Sequence, residues 1–351
     1  NFQTAYERLN EQQKKAVDAI EGPVMVVAGP GTGKTQVLST RIAKILQIQD
    51  VNPENILALT FTDAAAQNMR SRVVSLIGVD GYSIAITTFH SFASEVLTTH
   101  PEKFPIQKSS QPLSEYERFE VFEYLLTNSN LRVLKPLQSP LHYLNDVVGK
   151  ISQLKREYIT PEKFEVILES EEQRIAQEVA EYWEAQTQAA QLGKKAKTKL
   201  SATLLKKQRD LLKQKELYTV YVKYESELNK RKRYDFDDMI LFVITAFSED
   251  EELLLDYQER FQYILVDEYQ DTNASQNKIL QLLCSFWEEK PNIFVVGDPH
   301  QAIFRFQGAS VHNMIEFAQT YPELETITLT TGYRCHQELY DAAHELIQNN
   351  Q

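Results

Sequence analysis

Val24-Met-Val-Val-Ala28-Gly-Pro-Gly-Thr-Gly-Lys34-Thr35 decides the fold of this chain. Val24 to Ala28 is a short apolar run bounded by Pro23 and Gly29, the pattern of a buried strand. Beyond Thr35, apolar residues recur at helical spacing at Val37, Leu38, Ile42, Ile45 and Leu46. A glycine-rich turn between a strand and a helix is a phosphate cradle. Glycines let successive backbone N–H groups turn inward, and the helix N-terminus adds partial positive charge. Ala28, Gly29, Gly31, Thr32 and Gly33 would wrap the phosphates of a nucleoside triphosphate, ATP. Lys34 would reach its β- and γ-phosphates, and the Thr35 hydroxyl would serve Mg²⁺. Ala28 stands where the usual first glycine would be, but the glycines at 29, 31 and 33 keep the tight turn available.

Working outward, strands and helices alternate. Ile56 to Phe61 reads as a second strand, Asp63 as the cap of a helix running to about Ile77, and Ile84 to Thr87 as a third strand before a helix from about Ser91. From about Pro101 to Glu225 strand signals vanish. Helices are expected over Glu115–Leu126, Pro140–Tyr158, Pro161–Ala190 and Thr203–Asn229. Alternation then resumes, with strands at Tyr263–Val266 and Ile293–Val296 around a helix at Ser275–Trp287. Glu325–Leu329 is one more strand and His336–Gln348 a helix. The fold class is therefore α/β, a parallel sheet with helices on both faces, carrying an inserted all-helical domain.

Composition narrows the setting. The 351 residues are 42% apolar and 25% charged, ordinary for a globular chain. No apolar run approaches the ~18 residues of a membrane span. Asn1 to Asn10 lacks the basic and apolar regions of a secretory signal, and the absence of an initial Met reads as trimming. Cys284 and Cys335 are the only cysteines, which suits a reducing cytoplasm better than a disulfide framework. The net charge of −12 argues against a nucleic-acid partner, yet residues 194–233 hold 14 Lys/Arg against 4 Asp/Glu. That segment is either a solvated arm or a phosphate-contacting face.

Chemistry-bearing residues gather at strand ends. Tyr263-Ile-Leu-Val-Asp267-Glu268 places two carboxylates at the C-terminal end of a buried strand, the edge where open α/β sheets bind ligands. Asp267 would hold Mg²⁺ through water, and Glu268 would deprotonate the attacking water. The pair could instead merely start a helix, since acids suit helix N-termini. Val295-Val-Gly-Asp298 ends another strand, and the Gln301 amide beyond it could sense the γ-phosphate.

Together with Leu9-Asn-Glu-Gln-Gln13, Leu59-Thr-Phe61-Thr-Asp63, Thr87-Thr-Phe-His90-Ser-Phe92, Asp235-Phe-Asp-Asp238, Val266-Asp-Glu-Tyr-Gln-Asp271, Gly297-Asp-Pro-His-Gln301 and Gly332-Tyr-Arg334, the chain resembles the UvrD/PcrA/Rep-like superfamily 1 DNA helicases over nearly its whole length. The resemblance implies a RecA-like first motor domain in two segments, 1–100 and 226–325. A helical accessory domain that helps grip duplex DNA would occupy 101–225, and the start of a second motor domain 326–351. It implies ATP-driven movement 3′ to 5′ on single-stranded DNA, action at ss/ds junctions and a role in repair or recombination. Gln13 would contact the adenine and Tyr333 stack on it. Arg334 would reach the γ-phosphate from the second motor domain, while Phe61, Thr88, His90, Phe304 and Phe306 would meet the strand. Aromatic faces stack any base at about 1–3 kcal/mol each, which suits a translocase and does not separate DNA from RNA. Core packing is the lesser alternative for Phe304 and Phe306, Phe89 and Phe92 read as core, and Arg41 reads as a surface charge.

Departures from the family pattern are Ala64 for a common Lys, Gln36 for a common Arg, and Gln307 for an Arg beside the aromatic pair. Thr62-Asp-Ala-Ala-Ala66 is also similar to the AddA/RecB nuclease-helicases. Because the family binds ATP between two motor domains, this chain is expected to hold little more than half of the site. It should bind ATP·Mg²⁺ weakly, hydrolyse it poorly and not unwind DNA alone. A reading from another class is a non-catalytic, ATP-dependent DNA-binding or assembly module, although a mere binder has no need of the hydrolytic pair.

Overall fold

Apolar runs of four or five residues become strands and the 3.6-periodic stretches between them become helices, as the chain's alternation dictates. A computed structural model describes residues 2–104, 110–192, 195, 197–288, 290–301 and 311–348. In chain order the first elements are α1 (Phe2–Glu7), α2 (Glu11–Asp18), β1 (Val24–Ala28), α3 (Lys34–Ile48), β2 (Ile56–Thr60), α4 (Asp63–Ile77), β3 (Ala85–Thr88) and α5 (Phe89–Thr99). Next come β4 (Gln111–Pro112), α6 (Glu115–Asn128), α7 (Leu144–Arg156), α8 (Pro161–Gln191), α9 (Ala202–Arg231) and β5 (Arg233–Tyr234). The rest are α10 (Phe236–Glu249), α11 (Glu251–Arg260), β6 (Tyr263–Val266), α12 (Ala274–Cys284), β7 (Ile293–Gly297), α13 (Val311–Thr320), β8 (Glu325–Leu329) and α14 (Gln337–Gln348). The chain divides into two compact units, residues 1–105 with 239–351, and residues 106–238.

The first unit is built on a six-stranded sheet of order β3-β2-β6-β7-β1-β8, and every pairing is parallel. Val24, Val26 and Ala28 share one face with Ile56, Ala58, Leu265 and Phe294, where they pack with Leu38, Ile42 and Met69 of α3 and α4. The alternate residues Leu57, Leu59, Ile264, Val266, Ile293 and Val295 are buried as well. Burial of both sets means both faces are covered, which is why these strands read as continuous apolar runs. The boundary expected at 325/326 falls inside β8. All five of its residues pair with β1, from Val24↔Glu325 to Ala28↔Leu329, so this strand belongs to the first sheet. Two helix starts also differ from expectation. The α4 cap is Thr62, whose hydroxyl accepts from the Ala65 N–H, leaving Asp63 in the first turn. Thr88 caps α5, which therefore begins at Phe89 rather than near Ser91.

The second unit is helical apart from a two-residue parallel ladder between β4 and β5. Its core joins α6, α7 and the near ends of α8 and α9 through Phe122, Leu126, Ile151, Phe164, Val220 and Tyr224. Past Ile175 no residue of α8 is buried, so that stretch is a polar arm. Lys207 of α9 ties it down by pairing with Glu178, and Lys215 pairs with Glu172 just before Ile175, each at 2.5 Å. The buried Glu216 carboxylate accepts from the Arg132, Val133 and Leu134 N–H groups, satisfying three backbone donors of the preceding loop. α9 continues past the expected boundary at 225, and the unit itself extends to Asp238.

Candidate active site

Parallel pairing puts every strand's C-terminal end on one edge. Register places Val27 beside Gly297, and Leu59 beside Val266, so the turns after β1, β6 and β7 face the same region. In the first of these turns Gly31 and Gly33 have φ of +72° and +87°, values an L side chain adopts only with strain. A side chain would also displace neighbours. A Cβ on Gly33 would lie 2.8 Å from Gln13 Nε2, and one on Gly31 would lie 2.7 Å from Arg334 Cβ. Gly33 occupies the N-cap position of α3 without a side-chain cap, so the first-turn N–H groups are left for an anion. The loop is braced by Thr32 Oγ1, which donates to the Gly29 carbonyl at 2.8 Å. Ala28 contributes its backbone only. Its methyl lies in the core, which explains why this position tolerates a residue other than glycine.

Lys34 Nζ pairs with Glu268 Oε2 at 2.6 Å, joining the phosphate loop to the acidic pair. Glu268 is not the start of an α-helix. Its backbone is left-handed, at φ 51° and ψ 44°, a conformation that costs a non-glycine residue about 1–3 kcal/mol and clusters at functional sites. Burial, then the adjacent Glu268 charge, pushes the Asp267 carboxyl up to about 6, with Lys34 opposing. Two carboxylates therefore share one ammonium, an arrangement that favours an added cation. Among the described residues no group of three or more His, Cys, Asp or Glu could hold a metal. A carboxylate and a hydroxyl completed by phosphate oxygens is nevertheless the ligand set Mg²⁺ commonly takes. Asp267 and Thr35 fit that set.

Gln270, which sequence reasoning passed over, is the hub of this edge. It is buried, its Nε2 donates to Glu268 Oε2 at 2.9 Å, and its Oε1 accepts from the Asp298 N–H at 2.9 Å. A Cβ at Gly297 would collide with that Oε1 at 2.8 Å, so the glycine before Asp298 makes room for the amide. Gln301 Nε2 donates to Asp298 Oδ2 at 2.6 Å, completing a polar chain Lys34–Glu268–Gln270–Asp298–Gln301. Only the apolar–acidic patterning around Gln270 was visible in sequence, and nothing there marked its amide as a bridge.

α2 brings Gln13 to the loop, where Nε2 donates to the Thr32 carbonyl at 2.9 Å. Arg41 holds the other end of α2 and is not a surface charge. It is 1% exposed, lies over the Phe294 ring at 4.2 Å, and donates to the carbonyls of Ala16, Ala19 and Ile20. Burial lowers its pKa to about 9, with Tyr263 and Glu325 opposing, so it stays cationic at neutral pH. Three carbonyls ending one helix need a donor, and a guanidinium reaching from α3 supplies it. Arg41→Met is expected to lower stability by about 2–4 kcal/mol, read as a shift of the urea midpoint, and to weaken nucleotide binding through α2. An unchanged midpoint would return Arg41 to a surface role.

Tyr333 and Arg334 also meet the loop. The Tyr333 N–H donates to the Gly31 carbonyl at 2.9 Å, and Tyr340 Oη donates to the Pro30 carbonyl at 3.0 Å. Phe61 directly follows β2, Thr88 ends β3 and His90 lies in the first turn of α5, and the pairing of Thr60 with Thr88 sets the two strand ends side by side. The Thr88 hydroxyl is engaged with Ser91 as the α5 cap. Phe89 and Phe92 are core, as read from the sequence. Phe304, Phe306 and Gln307 lie outside the described residues.

A phosphate loop after one strand of an all-parallel sheet, with an acidic pair after another, defines a P-loop NTPase domain of RecA-like type. The chain belongs to the UvrD/REP helicase family, whose N-terminal domain matches residues 9–322. It is similar to the ATP-dependent DNA helicase PcrA of Staphylococcus aureus (strain Mu50), at 34% identity over 342 residues, 97% of this chain and 40% of that protein. The protein of the same name from Staphylococcus epidermidis (strain RP62A) is similar to the same extent. The chain thus spans about 40% of the length of the curated relatives it matches. Among the described residues no helix is long and apolar enough to cross a membrane.

Proposed function

We propose that this chain is the ATP-binding motor part of a cytoplasmic DNA helicase that moves 3′ to 5′ on single-stranded DNA and opens ss/ds junctions. The observation that carries the reading is the Lys34–Glu268 pair, which places a phosphate-seeking ammonium on a carboxylate able to act as base. The relatives' name, ATP-dependent DNA helicase, supports the substrate. Residues 1–105 and 239–329 would form the first motor domain, which takes in all of β8, and 106–238 the accessory domain. The second motor domain would begin beyond β8.

In this reading Lys34 leaves Glu268 for the β- and γ-phosphates when ATP binds. Glu268, still held by Gln270, then takes the proton of the attacking water. Gln301 contacts the γ-phosphate and Arg334 neutralises charge developing on it. Thr35 and Asp267 would hold Mg²⁺, which supplies charge neutralisation on the phosphates when bound. Gln13 and Tyr333 take the adenine, and Phe61, Thr88 and His90, with Phe304 and Phe306, take the strand.

ATP turnover of the full-length protein, measured with and without single-stranded DNA, tests this reading. Stimulation by DNA that Lys34→Ala abolishes is expected, together with unwinding of 3′-tailed but not 5′-tailed duplexes. Turnover indifferent to DNA would reject the motor. The basic arm gives a second check. Lys207 is engaged with Glu178, whereas Lys206 and Arg209 are exposed. Replacing Lys206 and Arg209 with Gln is expected to reduce the slope of log affinity against log salt for duplex DNA by about 1.8. An unaltered slope would assign the arm to solvent.

A further inference from the structure

Asn10 uses both ends of its side-chain amide. Oδ1 accepts from the Gln13 N–H at 2.8 Å and caps α2, while Nδ2 donates to Tyr333 Oη at 2.7 Å. Gln13 completes the capping box, its Oε1 accepting from the Asn10 N–H at 3.0 Å. Tyr333 is therefore anchored twice, at its hydroxyl by Asn10 and at its backbone by the Gly31 carbonyl of the phosphate loop. Between the two anchors the side chain stays open to solvent, at 60% exposure. Capping alone does not call for this arrangement. Ser and Asp cap as well as Asn, but only Asn adds a separate N–H donor beyond the capping oxygen. One residue thus fixes both the helix end that presents Gln13 and the ring that faces outward beside the phosphate loop.

We propose that Asn10 is a positioning residue for nucleobase recognition, holding Tyr333 as a preformed stacking platform in register with Gln13. The proposal rests on the nucleotide reading given above and adds the residue that organises its base-binding half. A ring already held at both ends loses little freedom when a base stacks on it, whereas an untethered ring must be ordered on binding.

The test is a double-mutant cycle on this chain, with ATP affinity measured by calorimetry for Asn10→Ser, Tyr333→Phe and the pair. Serine keeps the cap but is too short to reach Tyr333, and phenylalanine keeps the ring but loses the hydroxyl. Each single variant is expected to weaken ATP about 3- to 10-fold, and the double variant no more than either, because both remove the same bond. Inorganic tripolyphosphate, which has no base, is expected to bind all four proteins alike. Unchanged ATP affinity, additive losses, or an equal loss for tripolyphosphate would each overturn the proposal. Lys34→Ala separates this outcome from failure of the nucleotide reading. ATP binding that survives Lys34→Ala sinks that reading, whereas binding lost there but unaffected by Asn10→Ser sinks only the positioning role.

Discussion

Glu268→Gln is expected to lower ATP turnover by about 10²- to 10⁴-fold while leaving nucleotide affinity close to that of the parent. Glutamine preserves the size of the side chain and can keep an oxygen toward Lys34, but it cannot take a proton from water. Affinity should be spared because, in the proposed site, the loop and Lys34 would hold the phosphates and this carboxylate would not. Gln270→Met should act on the same step more gently, lowering turnover about 10-fold with KM unchanged. It frees Glu268 Oε2 from its amide donor and cuts the bridge to the Asp298 N–H. A single-turnover measurement separates chemistry from product release for both variants. Turnover in Glu268→Gln within twofold of the parent, at saturating ATP and DNA, would remove the general-base assignment and leave Lys34–Glu268 as a structural ion pair.

The second large effect concerns stability in the helical unit. Lys155 is fully buried, and its Nζ lies 2.8 Å from Glu225, 2.8 Å from Asp235 and 2.5 Å from Asp238. Burial alone would lower its pKa, but Asp235, Asp238 and Glu225 together overcome that and hold the ammonium well above its usual range. Tyr224 Oη donates to Asp235 at 3.0 Å, and the Asp235 and Asp238 carboxylates accept from each other's backbone N–H. Lys155→Ala would remove the ammonium that all three carboxylates contact and leave Arg118 as the remaining cation acting on Asp235, at a cost of about 3–5 kcal/mol. The corresponding drop in the melting temperature is roughly 10–20 °C. Lys155→Arg should recover part of the loss by restoring the charge at the price of a poorer fit. A melting temperature unchanged in Lys155→Ala would show that the cluster is open to water. The Asp235-Phe-Asp-Asp238 motif, which in sequence marks only the family, thus has a structural task within residues 106–238.

Much of the fold was legible in local pattern. Val24–Ala28 and Tyr263–Val266 form strands over the residues their apolar runs predict, and Glu325–Leu329 over its polar–apolar alternation, since short segments between turn residues have few other ways to bury their apolar side chains. Helix starts were less legible. Thr62 and Thr88 displaced the expected starts because a cap depends on whether a hydroxyl reaches an N–H three residues on, which composition does not report. Arg41 was misread for a related reason. A cation seven residues past Lys34 on the same helix looks exposed, and only the packing of α2 against α3 reveals three carbonyls waiting for it.

The amino-acid sequence by itself determined the phosphate loop, the parallel α/β class, the acidic pair and the helical insertion. Each is a short-range signal in which spacing and residue type suffice. Tertiary structure alone decided that β8 completes the first sheet, that Gln270 bridges Glu268 to the Asp298 turn, and that Asn10 holds Tyr333 across 323 residues. These are contacts between segments far apart in the chain. Their partners are chosen by strand order and by where neighbouring turns converge, not by any pattern near the residues themselves.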